Sequence, residues 1–157
     1  MLKKMLGALW RYAPKSLRRW GVRLVEPRFT VTAGAVVTND EGRVLLLEHR
    51  FRAGAGWGIP GGFLEKGEQP EEALRRELRE EVGLEIERAE IAFVRTIKKV
   101  RQIEIIFHAR ATGNVESQSD EIKSAGWYTL EELPPKLSKD QRELIRRTLK
   151  DGAKRAD

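Results

Sequence analysis

Hydrophobic positions change their spacing along the chain. Leu2, Met5, Leu6 and Leu9 share one helical face, and Leu17, Trp20 and Leu24 share another, with Pro14 separating the two short segments. From Phe29 the rhythm shortens. Phe29-Thr-Val-Thr-Ala-Gly-Ala-Val-Val is rich in β-branched residues, Asn39-Asp-Glu-Gly42 is a turn cluster, and Val44-Leu-Leu-Leu47 follows, which together predict a hairpin. A loop carrying Gly54, Gly56, Gly58, Pro60, Gly61 and Gly62 comes next. Pro70 is placed to open a helix and Gly83 to end it. Strands are expected at about 84–97 and 102–112, with a short one at Gly126-Trp-Tyr-Thr129 and a final helix from about Lys139 to Lys150.

These elements intermix without a regular strand-helix-strand alternation, which predicts an α/β fold with a mixed sheet covered by helices. A Gly-x-Gly-x-x-Gly match at 56–61 does not make a dinucleotide fingerprint, because Pro60 interrupts it and the helix starts about ten residues later.

The length, 157 residues, suits one domain with one substantial core, and 40% hydrophobic with 34% charged residues describes a globular chain. No apolar run approaches the length a bilayer requires. Cysteine is absent, which excludes thiolate metal sites and disulfides and is compatible with a reducing compartment; a cytoplasmic location is expected. Residues 1–28 hold eight basic side chains against Glu26 alone, a net +7, so the remaining chain carries −1 of the overall +6. The expected division is a basic amphipathic arm over 1–28, a main domain over 29–133 and a C-terminal helix and tail over 134–157 packing on it. Two uses of the arm stand open: packing on the body or on a second copy as a homodimer, and contact with a membrane surface or nucleic acid through Trp10, Trp20 and the basic residues.

Chemistry concentrates in the helix Pro70-Glu-Glu-Ala-Leu-Arg-Arg-Glu-Leu-Arg-Glu-Glu-Val82. At about 100° per residue, Glu77, Glu80 and Glu81 fall within an arc of roughly 100°, beside the apolar stripe of Leu74, Leu78 and Val82. A charged surface helix partly paired through Arg75, Arg76 and Arg79 would look the same in isolation. Clustered carboxylates without His or Cys form a hard oxygen site, suited to Mg²⁺ or Mn²⁺ and poorly suited to zinc.

Gly62, five residues, Glu68, seven residues, Arg76-Glu77-Leu78, one residue, Glu80-Glu81, one residue, Gly83-Leu84 resembles the Nudix box at every defined position. The likeness extends to the preceding Trp57-Gly-Ile-Pro-Gly-Gly62 and the later Glu121, Trp127 and Glu132-Leu133. The resemblance implies a Nudix-type α/β/α sandwich around a mixed sheet and a magnesium-dependent hydrolase, with Mn²⁺ as substitute. Such an enzyme splits a pyrophosphate linkage in a nucleoside diphosphate joined to another moiety. It also implies that Glu77, Glu80, Glu81 and the Gly61 carbonyl are metal ligands, that Arg76 orients a glutamate, and that Glu68 ties down the loop before the helix. Phe63, Leu64, Glu65, Lys66 and Gly67 are expected to be turn and packing residues.

In such relatives the general base is either a box glutamate, here Glu80, or an acid from a later loop, here Glu121, which is favoured and is also a candidate metal ligand. Arg50 and Arg52 are candidates for substrate phosphates, Trp57 and Phe51 for stacking on a base. His49 and His108 lack ligand-spaced partners and are assigned ordinary structural positions. Residues 97–101 contain no proline and there is no Ser-Gln-Pro-Trp element, which weakens assignment to ADP-ribose, NADH or coenzyme A. Nucleoside triphosphates, nucleotide sugars and RNA 5′ ends stay open. The alternative class, a Nudix-fold ligand-sensing or interaction module without turnover, is disfavoured by the intact box.

Overall fold

The structure, a computed structural model, describes residues 14–16, 26–51 and 56–156. The amphipathic arm, apart from Pro14, Lys15, Ser16 and residues 26–28, lies outside these, as does Arg52. Seven strands form one mixed sheet: β1 (Thr30–Thr38), β2 (Val44–His49), β3 (Trp57–Gly58), β4 (Gly61–Phe63), β5 (Ile86–Ile97), β6 (Gln102–Ala111) and β7 (Ile122–Tyr128). The order is β3-β2-β1-β6-β5, with β4 also on β1 and β7 also on β2. β1 runs parallel to β6 and antiparallel to β2 and β4.

Two helices cover the two faces: α1 (Pro70–Val82) and α2 (Lys139–Ala156). The assignment follows the alternation of the strands. Ala33, Ala35, Val37, Leu45 and Leu47 join Leu74, Leu78 and Val82 of α1 in one core, whereas Val36, Val44 and Leu46 join Leu144 and Ile145 of α2 in the other. The unbroken apolar run Val44–Leu47 has this cause, since a strand covered on both sides needs no polar face.

The glycine-rich segment is not wholly a loop. Within it β3 pairs with β2 and β4 with β1, through Leu47 opposite Gly58 and Ala33 opposite Gly62. Their residues have little strand propensity, so long-range pairing supplies what the local pattern does not announce. β7 likewise starts at Ile122 rather than at Gly126, carried along β2 by pairs from Val44–Tyr128 to His49–Ile122. Helix α2 passes Lys150 and continues to Ala156; one helical glycine costs only about 1 kcal/mol, which packing of the earlier turns offsets. Among the described residues no helix is long and apolar enough to cross a membrane.

Candidate active site

Helix α1 is fixed at both ends. Pro70 occupies its first turn beside Glu71 and Glu72, whose charges suit the helix N-terminus, and the Gln69 amide donates to Glu72 Oε2 at 2.8 Å. At the other end the Gly83 amide donates to the Arg79 carbonyl at 3.0 Å. With Ala73, Leu74, Leu78 and Val82 buried against the sheet, the positions just beside that stripe, Glu77 and Glu81, are carried to the seam between α1 and β4.

Arg76 organises this seam. Its Nε and Nη2 donate to the two oxygens of Glu68 at 2.9 and 3.1 Å, Nη2 also reaches the Phe63 carbonyl at 3.1 Å, and Nη1 reaches Glu77 Oε1 at 3.0 Å and Glu80 Oε2 at 3.3 Å. Glu68 in turn accepts from the Glu65 amide at 2.8 Å. One planar fork thereby ties β4, the following loop and the helix together. Its hydrogen bond holds the Glu68 carboxyl below the usual value, with the Glu65 amide acting in the same direction. Glu77 goes the other way: burial raises its pKa, and the neighbouring Arg76 offsets this only in part.

A cavity of about 500 Å³ opens here, walled by His49, Gly61, Glu77, Glu81 and Glu121, with Phe51 and Phe63 at its sides. Its shape depends on two glycines. Gly61 has φ of 139°, and a Cβ there would strike the Ala33 carbonyl oxygen. At Gly62 a Cβ would fall on the Glu77 carboxylate. The backbone of β4 can therefore approach the acidic edge of α1 as closely as it does only without side chains.

Of the three expected acids, Glu77 and Glu81 line the cavity, and Glu81 is only 7% exposed. Glu80 is not among the lining residues: its side chain is 59% exposed and held by Arg76. Among the described residues no three carboxylates or imidazoles converge into a ready-made cage. Glu121 does reach the cavity, from the loop before β7, which is pinned by the Arg50 amide on the Glu121 carbonyl at 2.7 Å and by Arg50 Nε on the Asp120 carbonyl at 2.9 Å. Arg50 thus braces the loop and does not line the cavity. Trp57 is also elsewhere, stacked edge-on against Tyr128 with ring centroids 5.6 Å apart and packed on the α2 core. Arg52 lies outside the described residues.

Two features escaped the sequence reading. His49 ends β2 with Nδ1 3.6 Å from Glu81 Oε1, inside the cavity wall. Its partner lies 32 positions away, so spacing carried no signal; its place at the last residue of a strand before a glycine-rich segment was the one available hint. Phe63, expected to be a packing residue, leaves 59% of its surface exposed.

The donors fit a hard divalent cation. Glu77, Glu81 and Glu121, the first with burial working against its charge, share a cavity with a main-chain segment stripped of side chains and with no sulfur ligand. A model of the NUDIX domain matches residues 28–148, which include the whole of this seam. The chain belongs to the Nudix family. It is 32% identical over 113 residues to a MutT-like protein of Streptomyces ambofaciens, spanning 71% of each chain. It is also 34% identical over 110 residues to the NAD-capped RNA hydrolase NudC of Pseudomonas aeruginosa, over 69% of this chain but only 39% of that one, so it spans well under half of that relative. A crystal structure of a MutT Nudix hydrolase from Burkholderia pseudomallei superposes with a TM-score of 0.67 at 29% identity, covering 77% of this chain and 98% of that one. As a Nudix hydrolase the chain is a pyrophosphohydrolase with the expected mixed-sheet fold. The family match runs past residue 133 into α2.

Proposed function

We propose that the enzyme hydrolyses the pyrophosphate bond of a nucleoside diphosphate linked to a further group, using Mg²⁺ held by Glu77, Glu81 and the Gly61 carbonyl, with Mn²⁺ as substitute. The observation that carries this is the single cavity shared by Glu77, Glu81, Glu121 and the glycines of β4. When bound, the cation neutralises phosphate oxygens and lowers the pKa of water. Arg76 keeps the Glu77 carboxylate oriented through Nη1. Glu80, at the margin and within reach of the same guanidinium, is assigned to the metal's outer edge. Glu121 is assigned to remove the proton of the attacking water, because it lines the cavity from the loop before β7 and that loop is braced by Arg50. His49, with Nδ1 3.6 Å from Glu81 Oε1, is assigned to support that carboxylate. The catalytic unit is proposed to comprise 29–133 with the C-terminal helix packed on it, and the basic arm to act outside it.

The test is a panel assayed with Mg²⁺: nucleoside triphosphates, nucleotide sugars, ADP-ribose and 5′-capped RNA. At least one should give two phosphate-bearing products. With that substrate, Glu121→Gln should lower kcat by about 10²–10⁴ with a smaller change in KM. Unaltered kcat and pH–rate profile would return Glu121 to an ordinary loop acid.

A second reading, action on RNA 5′ ends, is favoured by one observation beyond the NudC likeness. Lys139, Arg142, Arg146, Arg147 and Lys150 line one side of α2 with Glu143 as the acid among them, a surface suited to phosphates. The capped-RNA arm of the panel, repeated at two salt concentrations, decides it.

A further inference from the structure

Helix α1 covers only part of its side of the sheet. Ile86 and Ala89 of β5 and Phe107, Ala109 and Ala111 of β6 pack with Leu74, Leu78 and Val82 in the core beneath it. Beyond that stretch the same face is open to solvent: Ile91 and Val94 of β5 are 50% and 56% exposed. Register identifies their neighbours. Val94 stands opposite Ile105 and Ile91 opposite Phe107, while Ile103, two before Ile105 on the same face of β6, pairs with Val31 of β1. Phe29, two residues before Val31 and 40% exposed, extends this apolar row toward the start of β1. The opposite face of the same stretch is closed, with Ile106 fully buried and Arg95 clamped by Asp140 of α2 at 2.8 and 2.9 Å. A sheet with a parallel pair such as β1–β6 at its centre ordinarily has cover on both faces, and an exposed apolar patch of this extent marks a contact surface.

The chain enters β1 at the corner of this patch. The Thr30 amide donates to the Arg101 carbonyl at 3.0 Å, and Thr30 is in register with Gln102. Residues 17–25, immediately upstream of Glu26, lie outside the described residues. Their sequence matches the patch in period and in reach. Leu17, Trp20 and Leu24 share one side of a helix, and at about 100° per residue Arg18 and Arg19 fall on the other. Thr30 and Val94 are two strand spacings apart across the sheet and three residues apart along it, a separation on the order of 14 Å. The stretch from Leu24 to Thr30 can span about 20 Å when extended. Between Leu17 and Leu24 a helix would run about 10 Å, which is the width of two strand spacings.

We infer that the apolar face formed by Val31, Ile91, Val94, Ile103 and Ile105 is the docking surface for residues 17–24 of the same chain, which lie on it through Leu17, Trp20 and Leu24 with Arg18 and Arg19 turned to water. The choice of occupant follows from tethering. A segment joined by so short a linker meets the patch at an effective concentration of roughly millimolar, whereas a second copy meets it only at its free concentration. None of the patch residues lines the acidic cavity, so the docked segment contributes to stability and leaves the Glu77–Glu81 chemistry untouched.

Because the chain has no cysteine, introduced pairs report proximity without background. In the full chain, Leu24→Cys with Val94→Cys, treated with a short bis-maleimide, should give an intrachain product of monomer mass. Leu24→Cys with Arg146→Cys, on the exposed side of α2, should give little. Trp20→Gln should lower the thermal midpoint by roughly 2–4 °C and should have no further effect once Val94→Asp is present, because the two side chains share one contact. An unchanged midpoint in Trp20→Gln, or an equal drop in both backgrounds, would overturn the inference. So would equal linking of the two cysteine pairs, which would mean that the segment has no seat, or interchain product alone, which would give the face to a second copy. Absence of linking also overturns it; if wild type then sediments with phosphatidylglycerol vesicles and Val94→Asp does not, the face belongs to a membrane contact. The linking pattern alone decides if Val94→Asp does not fold.

Discussion

Gly62 and Glu77 compete for the same volume. A Cβ at residue 62 would lie on the Glu77 carboxylate, so Gly62→Ala must push aside either β4 or the acid. Displacing a group at a reacting centre by about 1 Å can cost on the order of 10²-fold in rate, whereas relief of one methyl costs about 1–3 kcal/mol of stability. We therefore expect Gly62→Ala to remain folded and to lose about 10²-fold in kcat/KM, measured beside its thermal midpoint; wild-type kinetics would show that the close approach is not needed. At this scale the sequence was informative about identity and blind to direction. Helical periodicity put Glu77, Glu80 and Glu81 on one arc, yet which carboxylates enter the cavity depends on Arg76, whose five side-chain bonds span residues 63–80. His49 and Glu81 meet only because β2 passes beside α1.

Elements with strong internal patterns were legible before folding: α1 from its stripe and its proline and glycine punctuation, β1 from β-branched residues, β5 and β6 as long runs. β3, β4 and the first half of β7 were not, because Gly, Ser and Ala carry no period and their strand character comes from neighbours far along the chain. The seam of β6 with α2 yields a pH prediction. His108 is half-buried; burial lowers its pKa, Arg88 adds to this, and Glu90 opposes it. Arg110 and Asp151 line the same recess, and Thr38 Oγ1 stands 3.5 Å from its Nε2. The unfolded chain takes up the proton near the ordinary histidine value while the folded chain still resists it. Stability contributed by neutral His108 is thus complete above that value and is lost as pH falls towards the lower folded value. The difference in thermal midpoint between wild type and His108→Gln should shrink from pH 7.5 to 5; a difference constant across that range would contradict the burial argument.

Over the whole molecule, two cores on opposite faces of one sheet hold α1 and α2 apart, and the edge of β4 between them carries both the acidic cavity and a smaller recess walled by Thr32, Gln102 and Glu104. This arrangement explains why most of the acidic cavity was readable from one contiguous motif, while the recess assembled from β1 and β6 was not. The measurement that bears most directly on the central claim is metal-dependent turnover in Glu81→Gln and Glu77→Gln, alongside Mn²⁺ titration of each protein. Either change removes a charged oxygen from the proposed metal site without altering shape. The account predicts weakened Mn²⁺ binding and a fall in kcat of at least about 10²-fold with the metal-free thermal midpoint little changed; wild-type Mn²⁺ affinity and near wild-type kcat in both variants would contradict it.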